Sequence, residues 1–229
     1  MYIYGKNASK EALQKGKVKK AFLYKKFKEK ELITLLENKN VKVTYLDKYE
    51  LDKKQKGNHQ GIILEVEDYK YYSLDDATEN TIVMLDHLED PHNFGAIIRT
   101  CEAAGIKNII IPKDRSVKVT STVIKVSVGA IENVKIIMVN NLVNALKKLK
   151  DSGYWVIGTD MEGEDYRLLD YTGKKVIVIG SEGSGLSRLT EENCDFIASI
   201  PMNGTVNSLN ASVAAALVIY ESQRGNLNA

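Results

Sequence analysis

Three segments of this chain place amide, hydroxyl, carboxylate and guanidinium groups directly after apolar runs. The first is Asp90 to Arg99, Asp-Pro-His-Asn-Phe-Gly-Ala-Ile-Ile-Arg. The second is Gly180 to Ser187, Gly-Ser-Glu-Gly-Ser-Gly-Leu-Ser, and the third runs from Ile200 to Ser212, Ile-Pro-Met-Asn-Gly-Thr-Val-Asn-Ser-Leu-Asn-Ala-Ser. In an open α/β sheet, ligands bind where loops leave the carboxyl ends of strands. Three such loops in one domain predict one shared site.

Each segment supports a bounded chemistry. In the first, Asn93 is suited to cap a helix and Gly105 to end it. At 100° per residue Phe94, Ile97, Cys101 and Ala104 share a face directed at the sheet, and Gly95 and Arg99 fall opposite with Glu102. A glycine beside Arg99 would leave room for a ligand at the guanidinium; the alternative is a surface arginine paired with Glu102. The second segment has no Gly-x-Gly-x-x-Gly, and Leu186-Ser187 stands where a triphosphate loop has Lys-Ser/Thr. A turn with one carboxylate, Glu182, and several backbone donors suits an adenosine or a ribose better than a phosphate chain. The third segment brings Ser208, Asn210 and Ser212 to the start of a small-residue helix. The histidines, His59, His87 and His92, have no metal-ligand spacing, and no Ser–His–Asp set or cysteine nucleophile stands out.

The elements that must position these loops follow from hydrophobic pattern. From Thr81 onward, apolar runs at 82–85, 109–111, 136–139, 155–157, 176–179 and 196–200 read as buried strands. Lacking in/out alternation, they predict a mostly parallel sheet covered on both faces. Helices are expected at 93–104, 121–129, 142–149 and 208–222. Before them, strands at 18–24, 41–45 and 61–66 with a helix at 29–37 predict a small α/β unit. The polar, tyrosine-rich stretch between is read as a linker. The expected domains are therefore 1–68, a linker at 69–80, and 81–229.

Charge divides the same way. The whole chain of 229 residues is nearly balanced at +2, yet residues 1–60 hold 16 Lys against 7 Asp or Glu, a net +9, leaving −7 for the rest. A basic module joined to a more neutral domain implies a polyanionic partner. No apolar run approaches the ~18 residues of a membrane span, and the start lacks a signal peptide's apolar stretch. With two cysteines in unrelated contexts, neither a disulfide framework nor a zinc site is expected. A cytoplasmic location is the plain expectation.

Taken together and in order, the segments resemble the SpoU (TrmH) family of SPOUT RNA ribose 2′-O-methyltransferases. The match rests on Asn93-x-Gly95-x-x-x-Arg99, on Gly180-x-Glu182-x-x-Gly185-Leu186-Ser187, and on Ile200-Pro201-Met202-x-Gly204 followed by Ser208-Leu209-Asn210-x-Ser212-x-Ala214. It covers the chain from about Thr81 to Gln223. Tyr4-Gly5-Lys6-Asn7-Ala8 and His59-Gln60-Gly61-Ile62 resemble the substrate-binding domain of the ribosomal-RNA branch, with Lys6-Asn7 departing from the more usual Gly-x-His.

The resemblance implies an α/β sheet whose C-terminal segments form a deep trefoil knot. S-adenosylmethionine would be bound at Gly180, Ile200 and Leu209, with Thr159 and Met202 as further wall residues and no metal. It also implies a homodimer with active sites at the interface, so that Arg99 serves a cofactor held mainly by the other subunit. The implied reaction moves a methyl group to a ribose 2′-hydroxyl, with Asn93 and Asn210 positioning and Glu182 and Ser208 shaping the pocket. The family's base is the arginine matched by Arg99. A guanidinium with pKa above ~12 accepts protons poorly, so Arg99 is expected chiefly to clamp the 3′-side phosphate and polarise the hydroxyl. The N-terminal domain favours a guanosine of large-subunit rRNA as target. A tRNA target, or a non-catalytic rRNA-binding or ribosome-assembly role, is the alternative.

Overall fold

The computed structural model describes residues 1–14, 18–206 and 208–225. Asn207 of the third segment lies outside them, as does the end of the expected 81–229 domain. The chain forms two units, Met1–Lys70 and Tyr71–Ala229.

In the smaller unit, β1 (Tyr2–Tyr4), α1 (Lys6–Gln14), β2 (Val18–Tyr24), α2 (Lys30–Asn38), β3 (Lys42–Leu46), α3 (Lys48–Lys54) and β4 (Ile62–Val66) follow in order. The sheet runs β1-β4-β2-β3, with β2 parallel to β3 and β4 antiparallel to both its neighbours. Cross-strand register puts Phe22 opposite Ile63, and these two pack with Leu51 of α3. On the other face lie Ile3, Leu23, Ile62 and Leu64, all buried. Three elements here were not foreseen. β1 is only three residues long, α1 carries few apolar residues, and α3 buries Leu51 alone.

In the larger unit, β5 (Thr81–Leu85), α4 (Pro91–Ala103), β6 (Asn108–Pro112), α5 (Ser121–Val126), β7 (Lys135–Val139), α6 (Leu142–Asp151), β8 (Trp155–Asp165), β9 (Lys175–Ile179), α7 (Arg188–Glu191), β10 (Phe196–Ser199) and α8 (Ala211–Ser222) follow in order, and the expected alternation holds except that β8 leads to β9 with no helix between them. The sheet order is β10-β8-β9-β5-β6-β7, and every neighbouring pair is parallel. All five residues of β5, β6 and β9 are buried, as a strand covered on both faces requires. α6 packs on one face through Leu142, Ala145, Leu146 and Leu149, against Ile82, Met84, Ile110, Val176 and Val178. α4 packs against α5 and α8, and α8 against β9.

The segment expected as a linker is mostly docked on this unit. Tyr72 pairs in parallel with Ile137 at the β7 edge, the Tyr71 hydroxyl accepts from the Val119 N–H (2.9 Å), and a short 3-10 helix covers Leu74–Asp76. The helix expected at 121–129 ends at Val126, because Val128 and Gly129 take positive φ (50° and 88°). The last helix begins at Ala211, not Ser208: the Asn210 side chain accepts from the Ser212 N–H (3.0 Å) and caps it.

Candidate active site at the carboxyl edge of the parallel sheet

With all six strands parallel, every strand-to-helix loop leaves from one edge. From β5 the chain crosses to β6 on one side, and from β9 it crosses past β8 to β10 on the other. The strand order therefore reverses between β5 and β9, the place where an open α/β sheet leaves a crevice. The first and second segments flank that crevice.

Side chains from all three segments meet there. The Asn93 amide donates to Glu182 Oε1, and the Asn210 amide donates to the same oxygen (3.1 Å). One carboxylate thus joins residues 89 and 28 positions away in sequence. Asn93 was expected as the α4 cap, but that role belongs to Asp90, whose carboxylate accepts from the N–H groups of His92 (3.2 Å) and Asn93 (3.0 Å), with Pro91 in the first turn. Asp90 satisfies the helix end, and the Asn93 side chain is left to reach Glu182. Asn93 is buried, whereas Glu182 and Asn210 are exposed.

The second segment closes on itself. Ser181 and Gly185 exchange two backbone bonds (2.9 and 3.1 Å), and Gly183 and Gly185 take positive φ (87° and 65°). A Cβ on Gly180 would stand 2.4 Å from the Gly185 carbonyl carbon and 2.7 Å from the Leu186 nitrogen. Leu186 then anchors the loop in the core. Asp86, which sequence reasoning missed, pins it from below: its buried carboxylate accepts from the Ser187 N–H (2.7 Å) and pairs with His87 Nδ1 (2.5 Å). An acidic residue directly after the wholly buried β5 was the available signal.

Beside this loop, β8 departs from its ladder. Ile197 pairs with Gly158 and the next residue, Ala198, with Glu164, so Thr159 to Gly163 are looped out toward the carboxyl edge. Gly163 is required there, since a Cβ would lie 2.4 Å from the Ile197 oxygen. Thr159 Oγ1 donates to the Val178 carbonyl (3.1 Å), which sets it next to Gly180. At the end of the excursion, the Arg167 guanidinium bonds to Asp165 and holds its carboxyl down at about 2. Thr159, Ile200 and Met202 are half-buried and Leu209 is 37% exposed. Incompletely covered apolar groups among backbone polar atoms are a surface suited to an adenosine. Among the described residues, no group of three or more His, Cys, Asp or Glu could hold a metal ion.

Two expected members stand apart. Arg99 lies six residues beyond Asn93, ~9 Å along the helix; it is exposed and has no ion pair among the described residues. Glu102 instead accepts from the Asn133 amide (3.0 Å). Gly95 does not make room for a ligand at Arg99. It is buried against α5, where a Cβ would meet Val126 Cβ at 2.6 Å, so the glycine serves helix packing. Ser208 is exposed ahead of α8 and takes no part in the Glu182 cluster. The outer face of α8, with Val213, Ala216, Leu217 and Tyr220, lines a groove of about 560 Å³ together with Tyr166.

In the smaller unit, the carboxyl ends of β1, β2 and β3 and the start of β4 lie at one end. The two quoted motifs meet there: Gln60 Oε1 accepts from the Lys6 N–H (2.8 Å), and Gly5 N–H donates to Ile62 O (3.3 Å). Buried His59 accepts at Nδ1 from Gly61 N–H (3.0 Å) and therefore donates from Nε2 to Asp52 (2.8 Å). Elsewhere Lys6 pairs with Glu29, and Lys54 lies over Phe22 (4.1 Å). Lys25, Lys26 and Lys28, in the turn after β2, are exposed and have no ion pair among the described residues.

Two family models match the chain: "SpoU rRNA Methylase family" over residues 80–220 and "RNA 2'-O ribose methyltransferase substrate binding" over residues 2–72. A Bacillus subtilis (strain 168) protein, YacO, named as a TrmH family tRNA/rRNA methyltransferase, is 42% identical over 97% of this chain and 95% of its own length. Among solved structures, an AdoMet-bound rRNA methyltransferase from Sinorhizobium meliloti has a TM-score of 0.75 at 25% identity, covering 98% of this chain and 87% of its own. A TrmH/SpoU tRNA modifying enzyme from A. aeolicus has a TM-score of 0.61 at 33% identity, over 68% of this chain and 79% of its own.

Proposed function

The chain belongs to the SpoU rRNA methylase family of RNA methyltransferases, and on that premise we propose that it transfers a methyl group from S-adenosylmethionine to a ribose 2′-hydroxyl, that of a guanosine in large-subunit rRNA. The observation that carries this is the junction of Asn93, Glu182 and Asn210 at the point where the strand order reverses.

The cofactor, when bound, supplies a methyl group already activated on a sulfonium. Gly180, Ile200 and Leu209 would hold its adenosine, with Thr159 and Met202 beside them, and the partly uncovered apolar side chains there fit that moiety. What remains for the protein is alignment and removal of a proton. Alignment can supply ~7–11 kcal/mol in favourable cases. Glu182 fixes both asparagine amides, so the Asn93 carbonyl oxygen and the remaining N–H of each asparagine keep set directions toward a ribose, while the Asn210 oxygen stays on the Ser212 cap. Ser208, in the segment before the α8 cap, faces the same acceptor in this reading.

Arg99 completes the site of a second copy. Within one chain it stands two turns of helix from the asparagine–glutamate cluster, and the apolar groove on α8 gives a second copy a surface to cover. In that dimer Arg99 clamps the 3′-side phosphate and polarises the hydroxyl, while the phosphate or water takes the proton. An Arg99→Lys variant tests the clamp: a point charge cannot replace a planar fork, so turnover should collapse, and near-normal turnover would contradict it. The C-terminal trefoil knot belongs to the same reading.

The net +9 of residues 1–60 leads RNA binding, through the exposed lysines after β2. An rRNA target is favoured because the S. meliloti rRNA enzyme matches the chain over 98% of its length and the A. aeolicus tRNA enzyme over 68%. Incubation with labelled S-adenosylmethionine and total RNA, followed by mapping of the labelled nucleotide, is the deciding experiment. Label in tRNA alone would move the target. No label in any RNA would leave a binding protein.

A further inference from the structure

The loop between β6 and α5, residues 113–120, has no part in the site described above, yet it is among the most firmly braced on the carboxyl edge. It leaves β6, the neighbour of β5 on the side away from β9. Lys113 N–H donates to Val139 O (2.8 Å), Val117 N–H to Leu88 O (2.8 Å), and Ser116 Oγ to the same Leu88 oxygen (3.4 Å). The Val119 N–H donates to the Tyr71 hydroxyl, and Val117 and Val119 are buried. Lys118 turns inward: its ammonium donates to the carbonyls of Pro112 (3.3 Å) and Lys113, and burial lowers its pKa.

All this bracing holds one side chain outward. Arg115 is exposed, has no ion pair among the described residues, and sits at φ 48°, a left-handed conformation that residues other than glycine rarely adopt. Such backbone persists only where its surroundings over-determine it, and it gathers at ligand clamps. Asp114, the loop's one acid, acts electrostatically on Lys118, and Lys113 is exposed beside it. On the facing β5 loop His87, directly before Leu88, is likewise at positive φ (56°). Among the described residues, neither the core nor an ion pair uses the Arg115 guanidinium.

We propose that Arg115, assisted by Lys113, binds an RNA phosphate one or two nucleotides from the ribose presented to Asn93, on its β6 side. This rests on the reading that the chain methylates RNA. Neighbouring strands lie ~4.8 Å apart, so the loop after β6 stands directly beside the loop after β5 that carries Asn93. A loop one strand over from the Asn93 loop is therefore at the right remove for a nearby phosphate. A planar guanidinium on a preset backbone binds phosphate in two directions with little left to order.

The test uses the full chain, labelled S-adenosylmethionine and bulk ribosomal RNA, with RNA KM measured across a salt series, alongside cofactor Kd and Tm. Arg115→Ala should raise the RNA KM about tenfold and lower the slope of log affinity against log salt by ~0.7–0.9. Its kcat and cofactor Kd should stay within twofold. Arg115→Lys should restore the slope but only part of the affinity. Arg115→Gly, which suits the positive φ, should hold or raise Tm while RNA KM still rises; a merely structural arginine would lose both together. Lys147→Ala, an exposed lysine on α6, serves as the charge control and should leave the slope unchanged. Unaltered RNA KM and slope in both Arg115→Ala and Arg115→Gly, with an active wild type, would overturn this assignment alone. A wild type that methylates no RNA would overturn it together with the reading beneath it.

Discussion

Replacing Gly180 by alanine tests whether the second segment is a closed cradle. The added methyl carbon would lie 2.4 Å from the Gly185 carbonyl carbon, 2.7 Å from its oxygen and 2.7 Å from the Leu186 nitrogen. All three are backbone atoms, so no side chain can swing aside. Ordinary carbon contacts need ~3.5–4.0 Å, so the 181–185 turn must open by ~1 Å. That breaks the two Ser181–Gly185 bonds, each worth ~0.5–1.5 kcal/mol, against an overpacking cost of ~1–3 kcal/mol if they stay closed. Opening is comparable to or cheaper than crowding, so damage should stay local. The expected result is a Tm lowered by ~2–12 °C, as a loss of ~1–3 kcal/mol implies for a chain of this size, with S-adenosylmethionine binding weakened at least thirtyfold, the equivalent of ~2 kcal/mol. Calorimetric titration and thermal melting of the same preparation measure both. A Gly180→Ala protein with unchanged cofactor Kd and unchanged Tm would refute the closed turn and its place in cofactor binding.

Glu182→Ala, which frees both asparagine amides, should lower kcat by about a hundredfold through misorientation; cofactor Kd should remain within threefold and Tm should fall modestly as the buried Asn93 amide loses its partner, as single-turnover assays and melting would register. Removing residues 1–68 should cut RNA affinity by orders of magnitude and flatten its salt dependence, leaving cofactor binding nearly intact; equal RNA affinity in a filter-binding assay would defeat the role given to the basic unit. Burial pushes the Cys194 thiol up to about 12 and that of Cys101 higher still, so neither should react with a thiol reagent at pH 8 until denaturant is added. Asp165, held at about 2 by Arg167, has a depressed folded-state pKa, so its contribution is complete above the unfolded value of 3.8 and disappears as pH falls through 2. The stability gap between Asp165→Asn and wild type, followed by denaturant titration, should therefore narrow only in that acid window.

Much of the larger unit was legible because buried parallel strands leave unbroken apolar runs: Thr81–Leu85 and Lys175–Ile179 could hardly be read otherwise. The buried face of α4, from Phe94 through Ile97 to Cys101, followed from a 100° wheel. What the wheel could not say is which neighbour each face meets. Gly95 was read as an opening beside Arg99, whereas α5 occupies that space. Helix capping was misassigned for a similar reason, since Asp90 and Asn93 are both good caps and only the position of Pro91 separates them. In the smaller unit, α3 was missed because Leu51 is its one buried residue, although Asp47 and Glu50 form a capping box three residues apart. The polar, tyrosine-rich composition of residues 69–80 suggested a linker; the edge pairing of Tyr72 depends on β7, more than sixty residues away, and no local pattern encodes it. Within the site, Asn93, Glu182 and Asn210 were legible as types and spacing, and Asp86 was overlooked because its one signal, an acid directly after a buried strand, is weak when taken alone.

The position of β9 has a consequence for how the protein is made. β9 lies between β5, about ninety residues earlier, and β8, which precedes it directly. Until residue 179 has left the ribosome, β5 and β8 each expose an unpaired parallel edge, and β10 and α8 have nothing to close over. Closing so long a loop before any pairing rewards it makes for slow folding, and bare apolar edges invite association between nascent chains. A cell making this protein therefore has reason to shield the emerging chain until its last quarter is synthesised, and refolding from denaturant should give its best yield at low concentration.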